Sequence, residues 1–200
     1  MNTITDTITR RIRAKGRGWV FTPKDFLDIG TRAAVDQTLS RLSSKGVIRR
    51  LDNGIYDFPR IHDKLGTLAP NVDDLAKAIA TKTGKQIFPS GAAAANYLGL
   101  STQVPSRPVY LTNGPSKQKK IAGRTITLKH AAVPIMNNVS DKANFVLQAL
   151  HYLGQNNIDD NLIQHCVDSI DKKDMKDLMD SISKIPGWMS AVVLKMQMKK

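Results

Sequence analysis

The chain has 200 residues, 41% hydrophobic and 24% charged, which is ordinary for a globular protein. Its net charge of +13 and isoelectric point near 10.0 are not ordinary, and they favour a polyanionic partner. No apolar run approaches the roughly 20 residues that span a bilayer, the first residues lack a signal peptide's basic start and apolar core, and the one cysteine, Cys166, cannot form an internal disulfide, so a cytoplasmic setting without a membrane partner is expected.

Taken in chain order, Ile4, Ile8 and Ile12 recur at helical spacing, so residues 3–14 read as a helix with Arg10, Arg11 and Arg13 on its other sides. Gly16 and Gly18 break it, and residues 19–21 form a short strand-like run. Thr22 caps the next helix and Pro23 opens it, with an expected end at Ile29. Residues 31–44 form a further helix. Ala34, Val35, Thr38, Leu39 and Leu42 make its inner stripe; Arg32, Asp36, Gln37, Ser40, Arg41 and Lys45 are left for solvent. Gly46 suits its C-terminal stop. Residues 47–51 and 55–58 are strands joined by Asp52-Asn53-Gly54, and Asn-Gly is the strongest short hairpin signal. Helix, strand, helix, turn, helix and hairpin within the first 60 residues is the order of a winged helix-turn-helix, and residues 60–66 read as a linker.

Beyond it, residues 72–83 form a helix ended by Gly84, 86–88 a strand, and 91–98 a helix capped by Ser90. Strands are expected over 109–112, 119–121 and 124–129, the last two joined through Ala122-Gly123. From Ser140 the pattern is helical, over 141–153, 159–170 and 173–185, with a last helix after Pro186-Gly187. The expected class is α+β: a winged helix-turn-helix over residues 1–62, then an α+β effector domain over 67–200, mixed to 135 and helical over 136–200. The charge follows this division, with +6 on residues 1–66, +7 on 67–135 and 0 on 136–200.

In a helix-turn-helix the second helix meets base edges with its N-terminal half. Arg32 then suits guanine, Gln37 adenine, and Ser40 a base or a phosphate, while Lys24, Arg41 and Lys45 suit phosphates. Asp36 repels the backbone, accepts from cytosine, or pairs with Arg32 one turn away. Arg49 and Arg50 point to opposite faces of their strand, so one can clamp a phosphate while the other packs beside the helix. Asn53-Gly54 at the tip has little bulk to keep it from a groove. The plainer alternative is a solvated structural wing used for protein contact. Lys117, Lys119, Lys120, Arg124 and Lys129 form a second basic surface, either for phosphate or RNA or simply to block edge-to-edge strand pairing.

Enzyme chemistry finds no support in the sequence. All 17 acidic residues are Asp, which excludes Glu-based dyads and His-Glu zinc motifs. Thr83-Gly84-Lys85 lacks the first glycine of a phosphate loop, with Ile79 in its place. The four histidines are dispersed, so no metal ligand set and no cofactor is expected, and Cys166 falls on an apolar helical stripe as a buried thiol would.

The run "AAVDQTLSRLSSKGVIRRLDNGIYDFPR", followed by "FPSGAAAANYLGLS" and "PVYLTNGPSKQKKIAGRTITLKHA", resembles the antitoxins of AbiE-type abortive-infection systems, the type IV toxin–antitoxin pairs of bacteria. The similarity covers about residues 5 to 135. It implies an N-terminal domain that represses its own operon at inverted repeats in double-stranded promoter DNA, with Arg32, Gln37, Arg41, Arg49 and Arg50 carrying operator binding. It also implies a remainder that counters a nucleotidyltransferase-like toxin, often without a stable complex. The rival expectations are a plain winged-helix regulator with a ligand-sensing or dimerising C-terminal part, and an RNA-binding factor working through residues 117–129.

Overall fold

The computed structural model describes residues 3–103 and 108–200 and has a mixed α+β fold. Packing divides it into two compact units, Met1–Lys85 with Gln118–Ile126, and Gln86–Lys117 with Thr127–Lys200.

In the first unit, α1 (Ile4–Lys15) begins at a reciprocal cap in which the side chains of Thr3 and Asp6 each accept the other's backbone N–H. β1 (Val20–Phe21) follows. The helix expected over 23–29 is a single 3₁₀ turn, Pro23–Phe26, and turns then lead to the new cap at Thr31. α2 (Arg32–Ser44) leads to β2 (Arg49–Asp52) and β3 (Ile55–Asp57), and β1-β3-β2 form an antiparallel sheet. Ile8, Ile12, Phe21, Phe26, Val35, Leu39, Leu42, Ile48 and Tyr56 fill one core, where each large side chain contributes roughly 1.5–3 kcal/mol by leaving water. Arg11 braces α1 from outside this core, its guanidinium donating to both carboxylate oxygens of Asp28 at 2.7 and 2.6 Å and to the Asp25 carbonyl at 2.8 Å.

The stretch read as a linker is a small exposed ribbon, β4 (Ile61–His62) against β5 (Gly66–Thr67). It forms because the His62 ring nitrogen accepts the Lys64 and Leu65 N–H groups at 3.2 and 3.3 Å and Gly66 takes φ +68°. α3 (Val72–Thr83), capped by Asn71 and stopped by left-handed Gly84, buries Leu75, Ala76, Ala78 and Ile79 and packs against β1 and β3. The compact unit therefore runs to Lys85, past the boundary expected at 62–67.

In the second unit, β6 (Ile87–Pro89) leads into α4 (Gly91–Tyr97), and β7 (Val109–Thr112) pairs antiparallel with β6. β8 (Lys117–Ile121) and β9 (Arg124–His130) form a hairpin whose residues 118–126 belong to the first unit. The rest of β9 pairs parallel to β7, Val109 opposite Thr127. α5 (Asp141–Leu153), α6 (Asp160–Ser169), α7 (Lys172–Asp180) and α8 (Gly187–Lys199) complete the unit. Their core holds Ala94, Val146, Leu147, Leu150, Cys166, Leu178, Met189 and Val193. The helix expected over 173–185 ends at Asp180, where the Ser181 hydroxyl turns back onto the Asp177 carbonyl at 2.7 Å and a 3₁₀ turn follows. Gly91 lets α4 lie close on α5: a Cβ there would sit 2.5 Å from the Tyr152 Cβ and 2.7 Å from the Gln148 carbonyl oxygen. Among the described residues, no helix is long and apolar enough to cross a membrane.

Candidate nucleic-acid interface

The first unit carries 19 Lys and Arg against 9 Asp, so +10 of the chain's +13 sits on it. α2 is its best-defined outer element. Thr31 caps it by accepting the Ala34 N–H, and Val35, Thr38, Leu39 and Leu42 anchor it inward. Ala33, Gln37, Ser40 and Ser44 then form one exposed row along the opposite side, with Arg41 and Lys45 beside it, both also exposed. Ala33 and Ser44 extend the row expected from the sequence, and small side chains at its ends let the helix come close to another surface. Arg32 does not stand free. Its Nε donates to Asp36 at 2.8 Å, which selects the ion-pair alternative for that acid. Lys24 is exposed on the 3₁₀ turn.

The two adjacent arginines separate completely. Arg49 faces Asp57 across the β2–β3 pair, bonded through Nε at 3.1 Å and an Nη at 2.6 Å, and gives a third bond to the Leu68 carbonyl at 3.0 Å. The Asp57 side chain is only 2% exposed, so this guanidinium neutralises a buried charge. Arg49 is thus a structural clamp, contrary to the operator-contact role that the resemblance implied for it. Arg50 is exposed and makes one long bond to the Asn53 side chain at 3.4 Å.

At the hairpin tip Gly54 takes φ +63° while Asn53 stays at negative φ, and the β2–β3 register shifts between Arg50 and Asp52. Asp52 is held from two sides. Lys119 bonds it directly, and Lys82 lies 3.9 Å away while also donating to the Asn53 carbonyl. Burial alone would raise the Asp52 pKa; the Lys119 bond, the Asn53 N–H and the Lys82 charge outweigh it and hold the carboxyl below its usual range. Lys119 therefore leaves the exposed basic surface expected over 117–129, whereas Lys120 and Arg124 remain exposed. Lys117 and Lys129 are exposed too and belong to the second unit.

Sequence reasoning missed Lys82, Arg17 and Arg60. Arg17 lies 4.7 Å over the Phe58 ring and donates to the Pro59 carbonyl at 2.9 Å. Arg60 packs over Gly18, whose N–H donates to the Phe58 carbonyl and whose φ of +97° favours glycine. The Gly16–Gly18 spacing was the only signal of that packing. Among the described residues, no group of three or more His, Cys or Asp side chains is placed to hold a metal ion.

These features define a mixed α+β chain with a strongly basic first unit that presents one uncharged helical row between cations. The chain belongs to the DUF6088 family, a family of unknown function, which it matches over residues 7–178. Among solved structures it is similar to the crystal structure of the RV2827C protein from Mycobacterium tuberculosis, at 15% identity and a TM-score of 0.40, over 96% of this chain and 76% of that one. No curated protein matches it.

Proposed function

We propose that the chain is a DNA-binding regulator whose first unit works as a winged helix-turn-helix. In this reading α2 enters the major groove and the β2–β3 hairpin lies along the neighbouring backbone. The observation that carries it is the concentration of +10 on the unit presenting the α2 row. Gln37 suits adenine, Ser40 either a base or a phosphate, and the Ala33 methyl a thymine methyl. Arg41, Lys45, Lys24 and Arg50 neutralise phosphates, and Arg32 joins them only by exchanging Asp36 for the DNA. The engagement of Lys119 by Asp52 favours this reading over RNA binding through residues 117–129.

The resemblance to AbiE-type antitoxins extends the proposal. The protein represses its own operon from inverted repeats in bacterial cytoplasm, carries no catalytic step, and counters a nucleotidyltransferase-like toxin without a stable complex. Footprinting on the DNA upstream of its own gene tests the first part, with protection of two half-sites expected and uniform or absent protection contradicting it. Co-expression with the adjacent gene product tests the second: relief of growth arrest is expected, and arrest that persists despite expression removes the antitoxin role.

A further inference from the structure

The second unit contains a cavity of about 400 Å³, within the range of small-molecule sites. Ala92, Val109, Leu111 and Ala132 give it apolar walls, and Gly91, where α4 meets α5, lines it as well. Its polar lining combines the neutral Ser90, Gln148 and Tyr152 with basic residues. Lys129, His130 and His151 line it, and no acidic side chain does. Lys129 forms no ion pair among the described residues, so its ammonium is available to a ligand. His130 is held in place, its Nδ1 2.9 Å from the Gly114 carbonyl and its backbone N–H donating to the Ser116 hydroxyl at 2.8 Å. The buried Gln148 amide donates to the Val133 carbonyl at 3.1 Å and stiffens the wall between them. The Tyr152 ring completes the rim.

We infer that this cavity binds a small organic anion: an apolar or aromatic body in the pocket, with a carboxylate or phosphate on Lys129. The apolar walls reject a fully hydrated inorganic ion, and the lack of any acid rejects a cation of the same shape. The site is independent of the DNA-binding reading, since every residue lining it lies in the second unit.

The test uses the full-length protein and three probes with one ring and different charges: benzoate, phenyl phosphate and benzylamine. Backbone amide NMR shifts at Val109, Leu111 and Ala132 should move saturably with benzoate or phenyl phosphate, and whichever binds tighter identifies the anionic group. Benzylamine should leave them unmoved. Lys129→Gln should weaken the preferred anion at least tenfold, and Ala132→Trp, which fills the pocket from its exposed edge, should abolish binding. The inference is overturned by the absence of saturation up to millimolar probe, by equal binding of benzylamine, or by an affinity that Lys129→Gln leaves unchanged.

Discussion

Arg49 and Asp57 sit directly opposite each other on β2 and β3, and the guanidinium meets the carboxylate through two bonds of 3.1 and 2.6 Å. The adjacent Arg50 points the other way into solvent. One dipeptide thus divides between holding the hairpin together and presenting charge. Arg49→Ala leaves the Asp57 carboxylate buried and unpaired, at a cost of roughly 3 kcal/mol. Arg50→Ala should stay within about 0.5 kcal/mol of the parent. Urea denaturation of the two variants checks this, and equal midpoints would contradict it.

That division shows what the sequence makes legible. The isoleucine, valine and leucine spacing reveals α1, α2 and α3 nearly to the residue, and the strand period of two puts Arg49 and Arg50 on opposite faces. Which of them turns inward depends on Asp57, and Asp57 is recognisable as a partner only once the strands are in register. The clamp on Asp52 is further out of reach. Its lysines come from α3 and from a strand 67 positions along the chain, and nothing local marks either one. The 61–67 ribbon was illegible for a different reason: it is exposed on both faces, so it has no apolar alternation to read.

Ala122 is the sole described non-glycine residue at positive φ, at 48°, beside Gly123 at 77°. Two successive left-handed residues match the tight hairpin turn that prefers Asn-Gly, and an alanine there carries a Cβ clash. Ala122→Asn should therefore raise stability by about 1 kcal/mol, read as a higher urea midpoint at unchanged slope. A lower midpoint would mean that the turn differs from this geometry.

Among the described residues, four carboxyls titrate below their usual range. Asp6 is lowered by the Thr3 hydroxyl, Asp28 by the Arg11 guanidinium, and Asp171 by the Asp174 N–H; Asp52 is lowered by its lysines against the effect of burial. A depressed folded pKa contributes stability that is complete above the unfolded value near 3.9 and is lost as pH falls through the lowered folded value. Stability should be level from about pH 5 upward on this account and fall steeply below about pH 4. Asp52→Asn should make that fall shallower, as thermal unfolding across the pH range would show.

Cys166 is fully buried, and burial pushes its thiol up to about 12. The thiolate is the reactive form, so the native protein at pH 8 should resist Ellman's reagent while the denatured protein releases one equivalent. Rapid native reaction would place Cys166 at an accessible site.

In the proposed function, the basic first unit clamps DNA through the α2 row and the exposed side of the hairpin. Equilibrium binding to the protein's own upstream DNA across a salt series tests it most directly. The logarithm of affinity should fall linearly with that of salt, with a slope of about −0.9 per phosphate neutralised. Arg50→Ala should make the slope shallower by about one, and Gln37→Ala should reduce preference over scrambled DNA while leaving the slope unchanged. Affinity that is independent of salt, or equal for upstream and scrambled DNA in the parent protein, would contradict the account.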